Sequence, residues 1–154
     1  MSIAPIVQSV FVKLPPDRTF EAFSSRMGDW WPRGKTIGKN PHSTVVMEPR
    51  AGGRWYEADE AGTQCDWGKV IDWEPPHRLL LAWQLDASFT YDPGFETEVL
   101  ITFVPEGTGT RVTLEHRHLE RFGPSAERVA AQLAGGWPSR LQNFVEFADR
   151  GDLA

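Results

Sequence analysis

Apolar and polar residues alternate along most of the chain, and the spacing changes to steps of three and four only near its end. Over residues 3–14, Val7, Ser9, Phe11 and Lys13 alternate against Ile6, Gln8, Val10 and Val12, which predicts a strand that Pro15 and Pro16 terminate. Asp17 is placed to cap a short helix with Phe20 and Phe23 on one face. Ser24 to Gly28 interrupts that helix ahead of Trp30 and Trp31, and Pro32 and Gly34 open a loop. Short strands are predicted at 43–49, 53–58, 66–74, 78–85, 96–105 and 110–118. Ala51-Gly52-Gly53, Ala61-Gly62, Pro75-Pro76 and Glu106-Gly107-Thr108-Gly109 supply the reversals between them.

The longest helical pattern comes last. Val129, Leu133, Trp137, Leu141, Phe144 and Ala148 fall on one face, which must be buried against another element. Gly135, Gly136 and Pro138 oppose helix locally. Either the helix begins in earnest near Trp137 after a separate turn, or a single helix runs through with a kink. The pattern as a whole predicts an α+β chain with an antiparallel meander, folding as one domain over residues 1–154. It contains no internal repeat.

Composition narrows the function classes. With 40% apolar and 24% charged residues the chain has the balance of a globular domain. A formal net charge of -5, with no local run of Lys and Arg, argues against nucleic-acid binding. Cys65 is the only cysteine, which excludes an internal disulfide and a thiolate metal cluster and fits a reducing cytoplasm. No basic segment precedes the N-terminal apolar residues and no apolar run reaches membrane-spanning length, so neither secretion nor membrane insertion is expected. Seven Trp and nine Phe are a heavy aromatic load, implying either a bulky core or an interior surface offered to a ligand.

Particular residues connect this pattern to a known family. Trp30-Trp31, the stretch Pro49-Arg50-Ala51-Gly52-Gly53-Arg54-Trp55, Gly68-Lys69-Val70 and Glu74-Pro75-Pro76-His77-Arg78-Leu79 resemble the domain of homologues of the activator of the heat-shock protein 90 ATPase. Trp83, residues 97–103, Gly109-Thr110-Arg111-Val112-Thr113-Leu114 and Gly136-Trp137 extend the resemblance over nearly the whole chain. That domain belongs to the START-like, or SRPBCC, superfamily. The resemblance implies a helix-grip fold, a curved antiparallel sheet wrapped around a long C-terminal helix with two short helices after the first strand. It also implies an apolar cavity between sheet and helix, used across the superfamily for lipids, polyketides, hormones and aromatic compounds. Co-chaperones of the family carry a further N-terminal domain with no counterpart in this sequence, so chaperone activation is not expected.

Candidate site residues follow from both sources. In the last strand Val112 and Leu114 share a face with His116 and His118, while Arg111, Thr113, Glu115 and Arg117 point the other way. If the apolar pair marks the inner face, each imidazole is a polar handle for a ligand or, more blandly, a satisfied interior histidine and an exposed strand end. The family resemblance places Trp55, Trp83 and Trp137 toward the interior, and Leu141 and Phe144 lie on the helix face that opposes the sheet. Of Trp30 and Trp31, one is expected to bury and the other to cap the cavity mouth, because adjacent helical residues do not share a face. Trp67 and Trp73 have the parity of Ile71, opposite Val70, and are expected on the other face of the sheet. Arg54, Glu57, Asp66 and Lys69 are inner or outer according to strand register.

His116 and His118 alone do not make a metal site, since His42 and His77 fall in distant loops, and no phosphate cradle or reactive thiol setting is present. No metal, cofactor or catalytic residue is therefore assigned. The leading expectation is a protein that binds a hydrophobic or aromatic small molecule without catalysis. A cyclase- or hydrolase-like enzyme using His116 as acid or base is the second, and a chaperone cofactor or regulatory interaction module the third. Self-association as a homodimer is left open.

Overall fold

The computed structural model describes residues 3–32 and 44–150. The expectations at Gly34, His42 and Ser43 lie outside the described residues. Seven strands, β1 (Ile6–Val12), β2 (Thr44–Met47), β3 (Arg54–Ala58), β4 (Gln64–Glu74), β5 (Arg78–Trp83), β6 (Thr97–Glu106) and β7 (Gly109–Arg117), form one sheet. Their order is β1-β7-β6-β5-β4-β3-β2, and every pair is antiparallel. Helices α1 (Pro16–Ser24) and α2 (Met27–Trp30) follow β1, and a 3₁₀ segment, Leu119–Ser125, leads into α3 (Ala126–Asp149). This is the expected helix-grip arrangement. No helix among the described residues is long and apolar enough to cross a membrane.

Alternation decides which side chains enter the space between sheet and α3. Thr97, Val99, Ile101 and Phe103 of β6 are buried, as are Thr110, Val112, Leu114 and His116 of β7, so the inner face is the one predicted from Val112 and Leu114. The β6–β7 hairpin closes through Gly107 and Thr108, with Gly107 at φ 60°, the first central position of a turn that favours glycine.

Strand β4 departs from simple alternation, and the departure overturns one expectation. Trp55 pairs with Gly68 but Tyr56 with Asp66, and Val70 pairs with Leu81 but Asp72 with Leu80. Trp67 and Ile71 are thus extra residues, each a bulge that resets parity along the strand. Trp67 consequently turns inward and is 1% exposed, instead of covering the other face. Trp73 also packs inward, edge-on to Phe20 with ring centroids 4.9 Å apart. Two bulges in one strand also bend that strand and increase its local twist.

Helix α3 runs unbroken from Ala126 to Asp149 through Gly135, Gly136 and Pro138, so the expected separate start near Trp137 is not found. Its buried residues include Val129, Leu133, Trp137, Leu141 and Phe144, whereas Gly135 and Pro138 are exposed. Burial of the apolar face outweighs the weak propensity of the solvent face. A Cβ at Gly135 would meet nothing within 4 Å. Gly135→Ala is therefore expected to stabilise the fold by about 1 kcal/mol, read as a raised urea midpoint with unchanged slope.

Candidate functional site: a closed circuit of tryptophans

The site begins with a row of paired residues crossing the sheet. Trp55 of β3 pairs with Gly68 of β4, Gly68 with Trp83 of β5, and Trp83 with Thr97 of β6. Since Gly68 has no side chain, the indoles on either side meet across it, at a centroid separation of 6.0 Å. A Cβ at Gly68 would collide with the Ala82 carbonyl, so the strands themselves require glycine here.

From that row the rings continue around the interior. Trp55 meets Trp67 at 5.5 Å, Trp67 meets Trp31 at 4.9 Å, Trp31 meets Trp137 of α3 at 6.1 Å, and Trp137 meets Trp83 at 5.8 Å. These five indoles form a closed circuit in tilted and edge-to-face contacts, the geometries aromatic pairs prefer. Trp31 is extended, at ψ 131°, just past the end of α2, so the rule that separates neighbouring helical residues does not bind it. Trp30 and Trp31 are accordingly both buried, contrary to the expected division of roles. Trp30 turns to Phe23 and Phe144, at 5.2 and 5.3 Å.

His116 anchors one side of the circuit. It is 0% exposed, and its ring lies 5.0 Å from that of Trp83. Trp137 Nε1–H donates to His116 Nδ1 at 3.2 Å, so Nδ1 carries no proton. The neutral ring then holds its proton on Nε2, which donates to Thr97 Oγ1 at 2.8 Å. Thr97 Oγ1–H in turn donates to the Trp83 carbonyl at 3.5 Å. Burial pushes the His116 pKa down to about 3, which keeps the imidazole neutral near pH 7.

Three further groups give the site its polarity. Trp83 is 5% exposed, and its Nε1–H is buried without a hydrogen-bond partner among the described residues. Glu57, 2% exposed, accepts a hydrogen bond from Trp67 Nε1–H at 2.8 Å. The Arg140 guanidinium lies over the Trp31 ring, 5.1 Å from its centroid.

Of the residues expected at the site, Trp55, Trp83, His116 and Trp137 come together in ring contact, and Leu114 and Leu141 are buried in the same core. Phe144 packs with Phe23 and Trp30 in the neighbouring aromatic cluster. His118 is not brought to the site. It follows the end of β7 at φ 66°, leaves the strand parity, and faces Glu98 and Glu120 with a 38% exposed side chain. Among the four charged candidates only Glu57 is buried. Arg54 stacks on Tyr56 and binds Asp66 at 2.5 Å, and Lys69 is exposed. Burial, with Glu57 and Asp66 nearby, pushes the Cys65 thiol pKa up, away from a reactive thiolate. No group of three metal-ligating side chains occurs among the described residues.

Sequence reasoning missed Trp67, Thr97 and Arg140 as site residues, and it put one of Trp30 and Trp31 at the cavity mouth without choosing between them. Thr97 was accessible through its parity with Val99, Ile101 and Phe103, while Trp67 was hidden by the bulge beside it.

A curved seven-stranded sheet closed by a C-terminal helix over an aromatic interior defines a START-like protein of helix-grip fold. Within that class, the chain belongs to the family described as Activator of Hsp90 ATPase homolog 1-like protein, whose model matches residues 13–149. Among solved structures it is similar to an anthrahydroquino-γ-pyrone synthase, Txn09, at 37% identity over 94% of this chain and 97% of that one, with a TM-score of 0.67. It is also similar to CalC, a self-sacrificing resistance protein of Micromonospora echinospora, at 29% identity over 97% of both chains and a TM-score of 0.67. An Aha1 dimer from Colwellia psychrerythraea shares the fold, with 14% identity, coverage of 97% and 99%, and a TM-score of 0.67. A comparison with curated proteins found no match.

Proposed function

We propose that the protein binds a planar aromatic small molecule against the tryptophan circuit between the sheet and α3. One observation carries this reading: a wall of five indoles contains a buried N–H, that of Trp83, with no acceptor among the described residues. An unmet donor of this kind costs about 1–3 kcal/mol, whereas a phenylalanine would fill much of the same space without that cost. A guest with a ring carbonyl would satisfy the donor and lie against indole faces, giving orientation as well as burial. The two relatives whose descriptions name a synthase and a resistance protein support a small-molecule role.

The test is titration with 9,10-anthraquinone, expected to quench tryptophan fluorescence saturably. Trp83→Phe should weaken binding of this diketone several-fold while leaving the affinity for anthracene, which has no carbonyl, unchanged. The reading fails if a library of planar aromatics produces no saturable quenching and native mass spectrometry finds no co-purified guest.

A second reading, a ring-forming enzyme, is favoured by the 37% identity to a pyrone synthase. Both His116 nitrogens are engaged by Trp137 and Thr97, so in this reading the histidine positions those residues and catalysis comes mainly from orienting the guest. Mass spectrometry of a hydroxylated anthraquinone before and after incubation separates the readings. Return of the unchanged molecule supports carriage, and an isomerised or cyclised product supports catalysis.

A further inference from the structure

Beyond the aromatic walls, Arg140 places a guanidinium against the circuit; like Arg18, Arg121, Arg128 and Arg150, it has no carboxylate partner among the described residues. Arg26, Arg50, Arg54, Arg78, Arg111 and Arg117 each pair with a carboxylate. Arg140 rests instead on the Trp31 ring. It is only partly exposed, and burial pushes its pKa down from the ordinary arginine value.

Its placement is built into the helix. Gly136 precedes Arg140 by four residues, on the same face of α3, and a Cβ at Gly136 would collide with an Arg140 guanidinium nitrogen. The missing side chain lets the guanidinium fold back along the helix toward Trp31 and Trp137. Gly135, its neighbour, has open space around it and serves no such purpose. A helix interior that keeps a costly glycine where it seats an unpaired guanidinium has the form of an anion receptor beside an aromatic wall.

We propose that Arg140 recognises an anionic oxygen of the guest, so that the site selects planar aromatic acids, carboxylates or acidic phenols, over neutral aromatics. The inference rests on the binding reading above. It adds polarity to that reading. The guest's carbonyl meets Trp83 Nε1–H, a buried donor with no acceptor among the described residues, and its anionic oxygen meets the Arg140 fork over the Trp31 ring.

The experiment compares 9,10-anthraquinone-2-carboxylate with its 2-carboxamide by tryptophan quenching at pH 7.5 and low salt. The wild-type protein is expected to bind the carboxylate about tenfold more tightly, the scale of one charge-assisted hydrogen bond. Arg140→Gln should abolish that preference, weakening carboxylate binding more than carboxamide binding, and Arg140→Lys should keep part of it. Gly136→Ala, which displaces the guanidinium but favours helix, should reduce the preference in a protein that melts no earlier than wild type. Equal affinity of wild type for the two probes, or a preference that survives Arg140→Gln, overturns the role of Arg140 and leaves aromatic binding standing. Absence of saturable quenching by either probe overturns both.

Discussion

Acidification from pH 7 to pH 4 is expected to cost the fold about 3 kcal/mol through His116 alone, approaching a limit of about 5 kcal/mol below pH 3. The folded pKa, about 3, lies below the ordinary 6.5, so the unfolded chain takes up a proton more readily than the folded one. The stability contributed by the neutral ring is therefore complete above pH 6.5 and is lost as the pH falls toward 3. The cause is burial. A charged imidazole would sit among indoles, and a proton added at Nδ1 would oppose the Trp137 N–H that now donates there. Urea denaturation at pH 7, 5.5 and 4 measures the effect, with His116→Gln as the non-titrating reference. Carboxylates contribute equally to both proteins, so the difference between their pH profiles isolates the histidine. Parallel profiles would sink the assignment of a neutral, proton-excluding His116.

Trp55→Ala is expected to be the most damaging single truncation in the circuit, at about 3–5 kcal/mol. Trp55 is 0% exposed, touches Trp67 and Trp83, and donates its Nε1–H to Met27 Sδ at 3.3 Å. It thereby ties β3 to the β4 and β5 rings and to α2. Because Gly68 offers no side chain beside it, no neighbouring residue on β4 can fill the space that truncation opens. A loss of this size is a large share of the roughly 5–15 kcal/mol that holds an ordinary domain together. Urea midpoints of the variant supply the number, and indole, as a fragment that fits the void, should raise the variant's midpoint more than that of wild type. A cost below about 1 kcal/mol would mean that the other rings close over the gap.

Much of this architecture was legible because it depends on period. The inner faces of β6 and β7 follow from alternation alone, which placed Leu114 and His116 correctly. The turn glycines and prolines marked the reversals, and the buried face of α3 was visible from Val129 to Phe144. Parity failed where the backbone adds a residue. Trp67 and Ile71 shift the register of β4, and no composition rule announces a bulge of that kind. It failed again at His118, where the backbone turns left-handed after the last paired residue. Gly136 illustrates a different limit. From sequence it argues only against a helix, and its purpose depends on where the Arg140 side chain goes once the helix has formed. Trp31 likewise acquires its role from contacts with β4 and α3, elements far from it in the chain.

The closed circuit of Trp31, Trp67, Trp55, Trp83 and Trp137 also determines how the protein emits light. Indoles this close exchange excitation much faster than they fluoresce, so the five, together with Trp30 at 5.8 Å from Trp31, behave as one antenna. A single acceptor seated anywhere in the ring drains them all.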